Sequence, residues 1–139
     1  MKVSILESKF RRSKLELKYT ELWNTLDISK KNMILDNINL SINEIPIITL
    51  FINNFEWWLI TDQVIYNYNN ILDIINLSDI FKIEISKDIK ILDKNYLNIY
   101  YKSKISSLEL EKKSWIIIIE ILRHLTHINI SIDKNFDQY

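Results

Sequence analysis

Glycine, alanine and cysteine are absent from these 139 residues, and proline occurs once, at Pro46. Without cysteine there is no disulfide framework and no thiolate for a zinc ion or for nucleophilic catalysis. Without glycine the chain is poorly suited to a nucleophile elbow or a phosphate-cradling loop, both of which need close backbone approach. Positions of positive φ are expected to fall to Asn and Asp, the next most tolerant residues, which marks Asn53-Asn54 and Asn69-Asn70 as turns. An excess of either charge is also missing. The 18 Lys and Arg balance the 18 Asp and Glu, giving a formal net charge of +0. No long-range field favours polyanions, so nucleic-acid binding is not expected.

Long apolar runs are lacking too. The longest, Ile45 to Ile52 apart from Thr49 and then Trp115 to Ile119, fall far short of the roughly 20 residues of a spanning helix. The first 19 residues scatter Lys9, Arg11, Arg12, Lys14 and Lys18 among apolar side chains, unlike a secretory signal. The expectation is a soluble, cytoplasmic protein.

What the chain does have is bulk. Hydrophobic residues make up 47%, chiefly Ile with Val, Leu, Phe, Trp and Tyr. A chain of this length buries roughly 70% of its unfolded surface, which predicts a single domain over residues 1–139 with one core.

The pattern changes near Pro46. Before it, Leu15, Tyr19, Leu22, Trp23 and Leu26 recur at helical spacing, and Ser29 is placed to cap a short helix carrying Met33, Ile34 and Ile38. After it come seven short segments of strand character: 47–52, 55–60, 63–68, 71–75, 80–85, 96–101 and 105–110. Phe81, Ile83 and Ile85 alternate with Lys82, Glu84 and Ser86, while Leu108 and Leu110 alternate with Glu109 and Glu111. One face is therefore apolar and the other wet. From Ser114, an expected N-cap, an amphipathic helix runs to about His127. Its inner face is Trp115, Ile118, Ile119, Leu122 and Leu125; its outer face is Glu120, Arg123, His124 and His127. Ile128, Ile130 and Ile132 leave room for a final strand. The organisation expected is α+β, with a helical extension over 1–43 and a core over 44–128. In that core a strongly curved antiparallel sheet or small barrel of about seven strands is closed by the last helix, and 129–139 form a tail.

The middle segment is more particular. Trp57-Trp58-Leu59-Ile60-Thr61-Asp62-Gln63-Val64-Ile65-Tyr66 resembles the strand-turn-strand start of bacterial pleckstrin-homology-like and GRAM-like domains. Ile75-Asn76-Leu77-Ser78-Asp79-Ile80 is similar to the segment that follows there, and 108–125 to the closing strand and helix. The resemblance covers about residues 47–127 and implies a binding domain rather than an enzyme. Family members that bind phosphoinositides use Lys and Arg in an early strand-strand loop. Here the loops read Asn53-Asn54, Thr61-Asp62 and Asn69-Asn70, so that lipid site does not carry over. A helical N-terminus joined to a strand-rich module also resembles several small immunity proteins of bacterial toxin systems, which block a toxin by covering its active face.

Candidate site residues follow from side chains that the core cannot absorb. Adjacent strand residues point to opposite faces, so Trp57 and Trp58 cannot share one core. With Phe55, Trp57 and Leu59 inward, Trp58 lies outside, under the N-terminal helix or under a partner. Tyr66, Tyr68, Tyr100 and Tyr101 add aromatic surface, and Ile116 falls near the polar stripe of the last helix. Trp58, Tyr66, Tyr68, Tyr100 and Ile116 are thus the candidate protein interface, read equally well as scattered aromatics. Arg11, Arg12 and Lys14 are the candidate contact to an anionic surface, worth about 1 kcal/mol per cation. His124 and His127 with Glu120 have a spacing that metals use, but closed sites take three or four ligands, and a solvated stripe explains them. Asp62, Asp73, Asp79, Glu84 and Glu109 fall in no catalytic motif, and Thr61-Asp62 reads as a turn. No catalytic residue, cofactor or metal is expected. The partner expected is a protein, with a weak membrane contact through the basic N-terminus as the alternative.

Overall fold

The computed structural model describes residues 2–87 and 95–132. Helix α1 (Lys2–Ser13) is followed by strand β1 (Thr20–Leu22), a 3-10 turn (Trp23–Thr25) and helix α2 (Ile28–Leu35). Strands β2 (Pro46–Asn53), β3 (Glu56–Thr61), β4 (Val64–Asn69) and β5 (Leu72–Asn76) continue the chain. After a second 3-10 turn come β6 (Ile80–Lys87), β7 (Asn95–Tyr101), β8 (Lys104–Leu110), helix α3 (Trp115–Thr126) and strand β9 (Ile130–Ile132).

The strands form two sheets, ordered β1-β2-β3-β4-β5 and β8-β7-β6-β9. All ladders are antiparallel except β6 with β9. Each strand expected after Pro46 is present within a residue or two. No backbone ladder joins the sheets among the described residues, so the expected barrel is not closed. Side chains bridge the gap instead. The Trp58 indole N–H donates to the Glu109 carbonyl at 2.6 Å, and Asn67 Nδ2 donates to Ser106 Oγ at 2.9 Å. Ser106 Oγ in turn donates to Asp73 at 2.9 Å.

The N-terminal region departs from its helical spacing. The helix lies at residues 2–13, and 14–19 are irregular, leading into β1. Lys14, at φ 52°, ends α1 in the left-handed region. Beyond it the backbone N–H groups of Lys18 and Tyr19 donate to the Glu111 carboxylate at 2.8 and 2.6 Å, and the Thr20 hydroxyl does so at 2.8 Å. A distant acceptor thus takes the donors that a helix would have used internally. Thr20 and Leu22 then alternate into the core from a strand paired with β2. Helix α2 is close to expectation, although its N-cap is Asp27, whose carboxylate accepts from Ser29 N and Oγ.

The main core lies between the sheets and under α3, gathering Leu6, Ile48, Leu50, Trp58, Ile60, Ile83, Ile85, Leu97, Leu108, Ile118 and Leu122 among others. The single expected core is joined by a second cluster on the outer side of the first sheet. There Trp57, Leu59, Phe51 and Tyr66 pack against Leu26, Ile34 and Ile38. The face assigned to β3 is therefore reversed, with Trp58 and Ile60 entering the main core while the α2 region roofs Trp57 and Leu59. Phe55, in the preceding turn, is exposed. Parity fixes which residues share a face but not which face is inside, and α2 supplied an apolar roof for the other one.

Positive φ falls at Lys14, Asn70, Lys102 and His127 among the described residues. Both expected Asn turns are present, but only Asn70 takes positive φ; at Asn53-Asn54 the Asn53 side chain accepts from Phe55 N at 2.8 Å instead, and two lysines and a histidine take the left-handed conformation. His127 does so as the C-cap of α3, with its N–H donating to Arg123 O. On α3, Ile118, Ile119 and Leu122 are buried as expected and Ile117 and Ile121 join them, whereas Trp115 and Leu125 are half-buried. At the expected Thr61-Asp62 turn only Thr61 bonds locally, its Oγ1 accepting from Val64 N at 2.9 Å, whereas the Asp62 carboxylate reaches across to accept from Ile45 N at 2.8 Å.

Candidate interaction surfaces

Two of the five expected interface residues are buried. Trp58 is 1% exposed, held between the sheets by its bond to Glu109. Tyr66 is 3% exposed, and its hydroxyl donates to the Glu44 carboxylate at 2.9 Å. Burial, reinforced by that bond and by the charge of Glu44, pushes the Tyr66 hydroxyl well above its ordinary pKa. Glu44, itself buried, also accepts from Thr61 Oγ1 at 2.6 Å and from Ser41 N at 3.0 Å. This carboxylate ties the loop before β2 to β3 and β4. Tyr68 is half-buried, its ring edge-on to Trp57 at 5.3 Å.

Tyr100 is half-buried, as Tyr68 is, and has exposed neighbours that the alternation concealed. The β6–β7 register shifts between Ile80 and Lys82, and this bulge turns Phe81 out of the inward series. Phe81 is 62% exposed, although Ile83 and Ile85 are fully buried. Its ring lies 6.3 Å from Tyr100, and the Lys82 ammonium sits over the Tyr100 ring at 4.8 Å. Across the ladder, Tyr100 pairs with Ile105, which is 60% exposed. Lys102 and Lys104, also exposed, stand at the adjoining turn, with Lys102 paired to Asp79 at 3.6 Å. The result is an aromatic and aliphatic cluster with a lysine rim. Ile105 was legible from the inward parity of Leu108 and Leu110; Phe81 was not, because a bulge leaves no mark in an alternating pattern.

The fifth candidate, Ile116, meets one of the expected cations. Helices α1 and α3 leave a groove of about 410 Å³ whose walls include Lys9, Arg12, Leu15, Lys113, Ile116 and Glu120. Arg12 and Ile116, assigned to different surfaces from the sequence, thus line one site. Arg11 and Lys14 are exposed but do not line it. A neighbouring recess of about 310 Å³ shares Lys9 and Glu120 and adds Arg123, His124 and His127. The two imidazoles thus share this recess with the Lys9 and Arg123 cations and the Glu120 carboxylate. No cluster of three or more His, Cys, Asp or Glu able to hold a metal occurs among the described residues. None of their helices is long and apolar enough to cross a membrane.

Two mainly antiparallel sheets closed by a C-terminal helix have a counterpart among solved structures. A DUF1696 family protein with a pleckstrin-homology domain from Shewanella loihica PV-4 superposes with a TM-score of 0.52. The fold is pleckstrin-homology-like. The match covers 79% of this chain and 99% of that one at 10% sequence identity, so what is shared is the architecture. No family model matches the sequence, and no curated protein does. The pleckstrin-homology-like resemblance of the Trp57–Tyr66 and Leu108–Leu125 segments agrees with this fold. The loops that would carry family lipid chemistry remain Asn-rich, reading Asn53-Asn54 and Asn69-Asn70.

Proposed function

We propose that this chain is a non-enzymatic protein-binding module, working in the cytoplasm through the outer face of its second sheet. The observation that carries the reading is Phe81, a large aromatic side chain that a bulge turns outward beside Tyr100 and Ile105. Exposed aromatic clusters of this kind are typical anchors of protein interfaces, where a few residues provide most of the affinity. The finer reading is neutralisation of a bacterial toxin. Its support is the resemblance of the N-terminal helix and strand-rich module to immunity proteins. Co-expression with the products of neighbouring genes, followed by purification at micromolar concentration, tests both levels. A stoichiometric partner retained by the native chain and lost on Phe81→Asp is the expected result. Retention of no protein, or equal retention by the variant, overturns the reading. A toxin whose activity the chain leaves unchanged overturns the finer one.

A second reading, a peripheral membrane module, is favoured by the three cations Lys9, Arg12 and Lys113 around one groove. It requires sedimentation with phosphatidylglycerol vesicles that salt weakens and that Lys9→Glu, Arg12→Glu and Lys113→Glu together abolish.

A further inference from the structure

We infer that the groove between α1 and α3 seats an acidic polypeptide segment carrying an apolar anchor, a site separate from the sheet face around Phe81. Three features converge. Ile116 is 55% exposed on a helix whose neighbouring Ile117, Ile118 and Ile119 are buried, and beside it Leu15 lines the same cavity. The cavity, about 410 Å³, falls in the range of ligand pockets and is large enough for a bulky side chain with part of its backbone. Around this apolar patch stand Lys9, Arg12 and Lys113, and Arg123 continues the positive wall into the adjoining recess.

The groove is also long. Its two recesses share Lys9 and Glu120, so they run together from the first turn of α3 to its C-cap. Helix α3 has 12 residues, which at the α-helical rise is roughly 18 Å, the length of about five or six extended residues or of a three-turn helix. Carboxylates on such a segment would meet Arg12 bidentately and Lys9 and Lys113 as point charges.

Glu120 decides between a polypeptide and a membrane. It belongs to both recesses, in the middle of the positive wall. A surface of uniformly anionic headgroups would press its charge onto this carboxylate, whereas a polypeptide of mixed sign can place a Lys, an Arg or a neutral residue there. The concave shape points the same way, since it receives a protruding chain better than it receives a flat bilayer.

The test uses the full chain and a fluorescent synthetic peptide of about twelve residues, the length of α3, with a central Leu pair flanked by Glu. Its Gln-flanked and Lys-flanked counterparts and phosphatidylglycerol vesicles serve as comparisons. Saturable anisotropy is expected with the Glu peptide. Binding should be at least about tenfold weaker with the Gln peptide and absent with the Lys peptide, and should weaken as salt rises from about 50 to about 500 mM. Ile116→Asp and Arg12→Glu should each lower affinity about tenfold, and Lys113→Glu should act in the same direction. Ile42→Asp, at a residue 98% exposed in the loop before β2, should leave it unchanged. Circular dichroism verifies that every variant is folded. Equal binding of the Glu and Gln peptides, insensitivity to both Arg12→Glu and Ile116→Asp, binding to vesicles alone, or no binding at all would each overturn the inference. Loss of a partner on Phe81→Asp is a separate result that leaves this one standing.

Discussion

Glu111 holds Thr20 across 91 positions of sequence, its Oε1 accepting the threonine hydroxyl at 2.8 Å and the Tyr19 N–H at 2.6 Å. With the Lys18 N–H on Oε2 at 2.8 Å, a single carboxylate satisfies three donors at the entrance to β1. The Tyr19 carbonyl accepts from Phe51 N at 2.9 Å, which continues the attachment into the first sheet. Through this residue the junction between β8 and α3 is tied to the edge of the other sheet.

Replacing Glu111 with Ala should therefore cost about 1.5–3 kcal/mol, the range for hydrogen bonds to a charged group. Glu111→Gln should cost less, since the amide oxygen still accepts. Urea unfolding gives the magnitudes. Hydrogen exchange at Lys18, Tyr19 and β1 should accelerate selectively in the Ala variant, and uniform acceleration across the chain would argue against the clamp.

The two neighbouring tryptophans should respond differently to Phe. Trp58→Phe loses the 2.6 Å bond from the indole N–H to the Glu109 carbonyl, which bridges the two sheets. Trp57 Nε1 is buried without a hydrogen-bond partner among the described residues, so Trp57→Phe removes volume while relieving an unsatisfied N–H. The expected difference is about 1–2 kcal/mol, with Trp58→Phe the more damaging. Equal losses would mean that packing alone sets both values.

Tyr66 predicts an alkaline instability. Its hydroxyl titrates above its ordinary value of 10.0 in the folded chain, so the folded state retains a proton that the unfolded state gives up. The stability it contributes is fully present below pH 10.0 and is lost as pH rises toward and through the folded pKa. Tyr101, also raised by burial and then by Asp73, acts in the same direction. Tyr66→Phe should flatten this loss and should cost about 1–3 kcal/mol at neutral pH, because Glu44 loses a donor. Phenolate absorbance recorded during an alkaline titration checks the order of ionisation.

Asp27 predicts the opposite dependence. Bonds from the Ser29 hydroxyl and then from its backbone N–H hold the Asp27 carboxyl below its ordinary pKa, despite a small opposing effect of desolvation. Its cap is fully present above the ordinary carboxylate range and is lost as pH falls through the lowered value. Asp27→Ala should lower the melting temperature and Asp27→Asn should lower it less. Acid unfolding of the Ala variant should lack the small cap component. An unchanged acid profile would remove Asp27 from the account.

The strands after Pro46 were legible because large apolar residues and short polar turns leave few alternatives. Helix α3 was legible because Ile118, Ile119 and Leu122 mark one helical face and Glu120, Arg123 and His124 the other. The segment from Leu15 to Leu26 was misleading for a physical reason: its spacing suits a helix, but its donors have a better acceptor in Glu111. The site was only half legible. Ile116 and Arg12 stood out singly, yet nothing in their separation of 104 positions says that they share a groove.

By itself, the sequence determined that this chain would build mixed helix and strand around bulky aliphatic side chains, where the strands after Pro46 fall, and that the last helix presents Ile116 beside polar residues. Those are properties of local pattern and turn chemistry, which short windows contain. Tertiary structure alone decided which tryptophan entered the main core, that Phe81 turned outward at a bulge, and that Lys9, Arg12 and Lys113 gathered around Ile116. Each of these depends on which distant surface arrives to cover a face, and a face of a strand or helix carries no record of its cover until the chain has folded.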